Sequence, residues 1–190
     1  MKLQVFNPYL PEWEYVPDGE PHVFGDRVYV YGSHDRFGAA MFCVDDYVCW
    51  SAPVDDLSDW RLEGTIFRKN QDPVNRLGLR LLFAPDVARG ADGRYYLFYA
   101  FDFMGTIGVA VCDEPAGAYE YLGHVSWSDG TRYGRRSRVT VSLLIPVCWW
   151  TTTVASGCTP AFAPTCRVWS RVCAQQRTRV VTCWNLSRTC

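Results

Sequence analysis

Apolar and polar residues alternate in short runs over the first two thirds of the chain, a pattern typical of β-strands that bury one face. The run over residues 24–31 alternates around Gly25-Asp26, and such a pair between two apolar runs predicts a hairpin with a tight turn. Further short strands are predicted over residues 41–44, 47–52 and 61–68. Together with the hairpin they form a first unit.

A second unit of the same kind follows a loop over residues 69–80, which Pro and Gly punctuate. Its strands are predicted near residues 87–88, 95–100, 107–112 and 120–125. No stretch has the period of an amphipathic helix, so the pattern predicts an all-β fold.

The two units share one order of residues. The run DGEPHVFGDRVYVY from Asp18 lies beside DVARGADGRYYLFY from Asp86, 68 residues later (86 − 18). A repeated strand–turn–strand unit predicts stacked small sheets, most simply the blades of a β-propeller. The acid at the head of each unit makes Asp18 and Asp86 candidates for chemistry.

A net charge of −1 conceals two unlike parts of the chain. Residues 1–134 hold all 20 acidic residues and 11 of the 19 basic ones, whereas residues 135–190 hold eight Arg and no acid. Six of the nine Cys and four of the eight Trp also lie in residues 135–190. We therefore expect a strand-rich domain over residues 1–134 and an irregular, disordered tail over residues 135–190.

The first residues show no apolar core of a signal peptide, and no apolar run has the length of a membrane span. Cys43, Cys49 and Cys112 lack metal-ligand spacing and fit buried thiols, with a Cys43–Cys49 disulfide as the less favoured alternative. These features predict a cytoplasmic protein with no membrane partner.

The tail has three interpretations. Its six Cys include no CxxC and no nearby His, which disfavours a metal site, and its scattered Arg without Lys disfavours a nucleic-acid partner. An acid-free composition rich in Arg, Cys and Trp is typical of a GC-rich gene translated out of frame. Shifted by one base, permitted codons for residues 140–156 spell a further acid–apolar–Asp-Gly–aromatic run, so we favour a frameshift.

Three further motifs point to a family. They are GSHD at residues 32–35, DYVCWSAPVDDLSDW at residues 46–60 and APDV at residues 84–87. With Asp18 they make residues 5–133 resemble glycoside hydrolase family 43, which includes β-xylosidases and α-L-arabinofuranosidases on a five-bladed β-propeller. The resemblance implies a partial propeller of about two blades, an oligosaccharide substrate and inversion at the sugar carbon. We expect no cofactor, and no residue is assigned to a metal site.

The resemblance also implies roles for individual residues. Asp18 matches the general base that activates water, and Asp86 matches the aspartate that orients the general acid and adjusts its pKa. His34 and Asp35 match a sugar-binding region.

The chain departs from the family pattern at two points. Phe83 stands where the family usually has Trp before Ala-Pro-Asp. The family's general acid is a Glu in a later blade, and this sequence has no acidic residue after Asp129. We therefore expect little or no hydrolase activity from this chain.

Each of these assignments has a purely structural alternative. Asp18 and Asp86 could be turn residues, and His34 could equally be a core histidine. Glu20 is the second candidate for the base. A non-catalytic carbohydrate-binding or interaction module with an authentic Cys-rich tail is the alternative function, and a lyase or transferase on the same fold is another.

Overall fold

The computed structural model describes residues 8–101 and 106–126, which form two four-stranded sheets and confirm the all-β prediction. The strands are β1 (Glu20–Phe24), β2 (Arg27–Tyr31), β3 (Tyr47–Pro53), β4 (Arg61–Phe67), β5 (Leu82–Arg89), β6 (Tyr95–Phe101), β7 (Thr106–Cys112) and β8 (Glu120–His124). Among these residues the helical structure is limited to two 3₁₀ turns, Lys69–Gln71 and Pro73–Asn75. The tail predicted over residues 135–190 lies outside the described residues.

The first sheet is an antiparallel meander in the order β1-β2-β3-β4. The predicted hairpin is confirmed: a two-residue turn joins β1 to β2, and Gly25 adopts φ +65°, which favours glycine at the first position of such a turn. Residues 8–17, the lead-in to the first sheet, pack against it, with the ring of Trp13 6.0 Å from that of Trp50.

The strand predicted over residues 41–44 is wrong, because this segment forms bends. Side chains satisfy its backbone groups in place of a neighbouring strand. The Asp35 carboxylate accepts the N–H of Cys43, and the Lys69 ammonium donates to the carbonyl of Val44. Cys43 itself has φ +55°, which no strand allows.

The second sheet is a meander in the order β5-β6-β7-β8. Its first hairpin has a five-residue connection over residues 90–94 where the first sheet has two residues. An irregularity in β5 between Phe83 and Asp86 shifts the pairing with β6. Each acid precedes the second strand of its sheet by nine residues (27 − 18 and 95 − 86). Asp86 nevertheless lies inside a strand whereas Asp18 lies in a turn, because β5 begins before its acid and β1 begins after its acid.

The core between the two sheets consists largely of aromatic side chains, among them Tyr95 and Tyr99 of β6. Its largest fully buried members are Tyr31, Tyr47, Tyr99, Tyr119, Phe67 and Phe101. Burying each such ring contributes roughly 1.5–3 kcal/mol. The hydroxyl groups also find acceptors across the sheets, since Tyr47 donates to the Phe83 carbonyl at 2.8 Å and Tyr31 to the Pro115 carbonyl at 2.7 Å.

Within residues 8–101 and 106–126, no helix is long and apolar enough to cross a membrane. Cys43, Cys49 and Cys112 are free thiols, so the alternative of a Cys43–Cys49 disulfide is wrong.

Candidate active site

Asp18 lies on an exposed turn between the lead-in and β1, with φ +56°. The turn packs closely on Gly32, where a Cβ atom would lie 2.5 Å from Val16 Cγ1 and 2.7 Å from the Pro17 carbonyl oxygen. Only glycine permits this approach. The carboxylate receives a hydrogen bond from the Ser33 hydroxyl, with 3.3 Å between Ser33 Oγ and Asp18 Oδ2.

Asp86 is 4% exposed and lies in β5, directly after the irregular segment at Ala84-Pro85. Its Oδ1 is 2.7 Å from Nε2 of His22, which lies in the middle of β1. The contact therefore joins the first strands of the two sheets across 64 residues of sequence. His22 was not among the predicted site residues. The available signal was its position on β1, two residues from both Glu20 and Phe24, which places the three side chains on one face.

His34 is held at both ring nitrogens. Nε2 lies 2.9 Å from Glu14 Oε1, and Nδ1 lies 3.0 Å from the Asp46 carbonyl oxygen. Glu14 also accepts a hydrogen bond from the indole N–H of Trp50 at 2.9 Å, and its side chain is only 4% exposed. Glu14 was missed by the sequence analysis, because nothing local distinguishes it from a solvated glutamate.

Asp35 performs a similar structural task, since its carboxylate accepts the Cys43 N–H and its own N–H donates to the Tyr15 carbonyl at 2.9 Å. His34 and Asp35 thus fasten the lead-in and the segment before β3 around the turn of Asp18. A direct contact of either residue with sugar stays a prediction.

Two side chains near Asp18, the Cys43 thiol and the Tyr47 hydroxyl, are kept in their neutral forms, chiefly by burial. Burial raises the pKa of the Cys43 thiol, the contact with Ser33 works in the opposite direction, and the carboxylates of Asp35 and Asp18 raise it further. Burial likewise raises the pKa of Tyr47, with smaller contributions from Cys43 and Asp18. Neither group is therefore a source of negative charge that competes with the carboxylates near neutral pH.

The described part of the chain contains no group of three or more His, Cys, Asp or Glu side chains that could hold a metal ion. Of the two predicted catalytic acids, it brings Asp18 to Ser33 and Asp86 to His22. Asp18 lies exposed in the turn before the first sheet, and Asp86 lies buried in the first strand of the second sheet.

Two adjacent four-stranded meanders, each with an acid near its first strand, are two blades of a β-propeller protein. The sequence model of glycosyl hydrolases family 43 matches residues 14–133. The chain belongs to this family, and the resemblance noted from its motifs is confirmed.

Individual relatives agree. The chain is 62% identical over 136 residues to a xylosidase/arabinosidase of Thermoclostridium stercorarium, covering 72% of this chain and 29% of the relative. It is 34% identical over 116 residues to xylosidase/arabinosidase 43A of Humicola insolens, covering 55% of this chain and 34% of the relative. The chain therefore spans about a third of the length of these relatives.

A solved structure matches as well. The GH43_1 enzyme of Xanthomonas citri, crystallised with xylose, superposes with a TM-score of 0.50 at 27% identity. The match covers 63% of this chain and 34% of that structure.

Proposed function

We propose that residues 14–133 form the base-bearing part of an inverting glycoside hydrolase site for arabinose- or xylose-containing oligosaccharides. The observation that carries the proposal is the pair of acids at the heads of neighbouring blades, one exposed and one buried against a histidine. The names of the two relatives support the substrate class.

The exposure of Asp18 suits a general base. An inverting enzyme needs a carboxylate that reaches a water molecule on one face of the sugar and a protonated acid on the other, about 6.5–9.5 Å away. Asp18 is open to solvent, and its carboxylate accepts a hydrogen bond from the Ser33 hydroxyl, which orients it.

The burial of Asp86 suits a modulator of the general acid. A buried carboxylate close to a second carboxyl group raises the pKa of that group by like-charge repulsion and keeps it protonated. The general acid itself has no candidate in this sequence, because no acidic residue follows Asp129. Loss of protonation of the leaving group typically lowers the rate by about 10²–10⁴.

The dependence of the rate on the leaving group tests this proposal. A dinitrophenolate leaves without protonation, so 2,4-dinitrophenyl β-xyloside needs the base but not the acid. We expect this chain to hydrolyse it slowly and to leave xylobiose intact. Asp18→Ala should lower the slow rate by about 10²–10⁴, while Asp26→Ala, which removes an exposed turn carboxylate at the other end of β1, should not change it.

Two results would contradict the proposal. Equal turnover of the activated xyloside by the unsubstituted chain and by Asp18→Ala would remove Asp18 from the role of base. Efficient cleavage of xylobiose by this chain would show that a general acid is present after all.

Exposed aromatic rings favour a second candidate, a non-catalytic carbohydrate-binding module. The Phe37 ring is 84% exposed and stacks on Tyr15 at 6.1 Å, and Trp13 is 65% exposed. Aromatic faces of this kind offer apolar contact area for a ligand. Two measurements separate the two functions. A binding module should not hydrolyse the activated xyloside, and in a titration with xylobiose its affinity should be the same in Asp18→Ala as in the unsubstituted chain.

A further inference from the structure

One buried hydroxyl lies at the centre of the unusual backbone conformations of this protein. In residues 8–101 and 106–126, the non-glycine residues with positive φ are Asp18 (+56°), Cys43 (+55°) and Ala84 (+25°). They come from three separate segments, namely the turn before β1, the bends before β3 and the irregular part of β5. All three surround the side chain of Ser33.

The hydroxyl of Ser33 is fully buried and bridges the two blades. It donates to Asp18 Oδ2 at 3.3 Å and accepts the N–H of Ala84 at 2.8 Å. The Cys43 thiol is its third polar neighbour. A serine hydroxyl has one proton and two lone pairs, so Ser33 directs its O–H at the Asp18 carboxylate and accepts the Ala84 N–H on a lone pair.

Such conformations persist only where the surrounding structure imposes them, and they concentrate at functional sites. Aspartate tolerates a left-handed conformation better than most residues, but alanine has no side-chain group to stabilise one. The hydrogen bond from the Ala84 N–H to Ser33 Oγ provides the stabilising contact that the alanine side chain cannot make. Ala84 lies two residues before Asp86 in β5. The bond to Ser33 is therefore made within the irregular segment that directly precedes the second acid.

We propose that Ser33 is a positioning residue that ties the turn of Asp18 to the irregular segment of β5, and so sets the placement of the two carboxylates relative to each other. Its role in catalysis rests on the proposed function of Asp18 and Asp86. The tie between the two segments does not.

The tie is tested by nuclear magnetic resonance on the whole chain. In the unsubstituted chain the Ala84 amide should exchange slowly with solvent, and the HN–Hα couplings of Asp18 and Ala84, together with a strong HN–Hα nuclear Overhauser effect within each residue, should report positive φ. Ser33→Ala should accelerate exchange at Ala84 by at least about tenfold and alter both couplings. Ser51→Ala is the matched control, because it also removes a fully buried hydroxyl, but one bonded to Arg27 and Glu63 in the outer part of the first blade.

Two results would overturn the tie. The first is rapid exchange of the Ala84 amide in the unsubstituted chain, which needs no variant to fold. The second is a Ser33→Ala chain in which exchange and both couplings match those of Ser51→Ala. Ser33→Thr, which keeps the hydroxyl, should retain the couplings of the unsubstituted chain.

Hydrolysis of 2,4-dinitrophenyl β-xyloside tests the catalytic consequence separately. A misplaced carboxylate should lower kcat about 10²-fold with KM changed less than twofold, and Ser33→Thr should recover most of the loss. If Asp18→Ala does not affect the rate, the proposed function fails while the resonance measurements still decide the tie. If Asp18→Ala abolishes turnover and Ser33→Ala does not affect it, the positioning role fails and the proposed function stands.

Discussion

At the scale of single residues, Asp72, in the loop between the blades, is a fully buried carboxylate. Its side chain has no exposed surface. It accepts hydrogen bonds from His124 Nε2 at 2.8 Å, the Tyr99 hydroxyl at 2.7 Å and the Val74 N–H at 2.9 Å. Burial alone would raise the pKa of Asp72, but these hydrogen bonds outweigh it and lower the pKa below its usual value.

We expect Asp72→Asn to lower the free energy of unfolding by about 2–3 kcal/mol near neutral pH, because it removes charge-assisted hydrogen bonds. A lowered pKa in the folded state stabilises the protein above the unfolded-state pKa of about 3.9. The difference between the two proteins should therefore shrink as pH falls below about 4. Urea unfolding of both proteins at several pH values measures this difference in the free energy of unfolding.

Asp26→Asn is the control for this prediction. Asp26 lies in the exposed turn between β1 and β2, so this variant should unfold like the unsubstituted chain over the same pH range. A difference for Asp72→Asn that stays constant from pH 7 to pH 3 would show that ionisation of Asp72 does not contribute.

The same scale shows what sequence could not predict about the site. Asp18 and Asp86 could be proposed from sequence because a repeat and a motif mark them, and their catalytic roles stay predictions. His22 and Glu14 were missed because their importance arises from partners 64 and 20 residues away, which only the packed sheets bring near.

At the scale of elements, strands were predictable wherever the alternation was matched by a neighbouring strand. The β1–β2 hairpin and the strands β3, β4 and β6 to β8 lie where the pattern placed them, within a few residues. Residues 41–44 have a suitable composition but no partner, because side chains from elsewhere bind their backbone. β5 extends five residues before its predicted start at Val87, since the Ala-Pro irregularity hides its periodicity.

Two glycines in neighbouring strands make this packing testable. A Cβ atom at Gly108 in β7 would lie 2.2 Å from Cζ of Tyr99, whose buried ring is fixed by its hydrogen bond to Asp72 and by contact with Phe101. A Cβ atom at Gly123 in β8 would meet nothing within 4 Å.

We expect Gly108→Ala to lower stability by about 1–3 kcal/mol through overpacking, which calorimetry would detect as a decrease in Tm of about 5 °C or more. Gly123→Ala should leave Tm unchanged or slightly higher, because alanine loses less backbone entropy than glycine. Equal effects of the two substitutions would indicate that the Tyr99 ring is free to move away.

At the scale of the whole molecule, the match to family 43 ends at residue 133, and the composition changes from Arg135 onward. This coincidence supports the hypothesis of a frameshift, although the tail lies outside the described residues. We expect the coding DNA beyond codon 125 to contain, in another frame, a further acid–apolar–Asp-Gly–aromatic unit and later a Glu-bearing blade. Sequencing the locus measures this, and stop codons throughout both other frames would establish the tail as authentic.

The meander of the first blade has a consequence for how the protein is made. Every strand of that blade pairs with a neighbour in sequence, so the blade can assemble while the ribosome is still translating the residues beyond Phe67. Asp18 meets Ser33 at that stage, but His22 and the Ser33 hydroxyl still lack their partners at residues 84–86. A pause in translation between the blades thus leaves Asp18 in contact with Ser33, and synthesis of β5 adds the contacts that residues 84–86 make with Ser33 and His22.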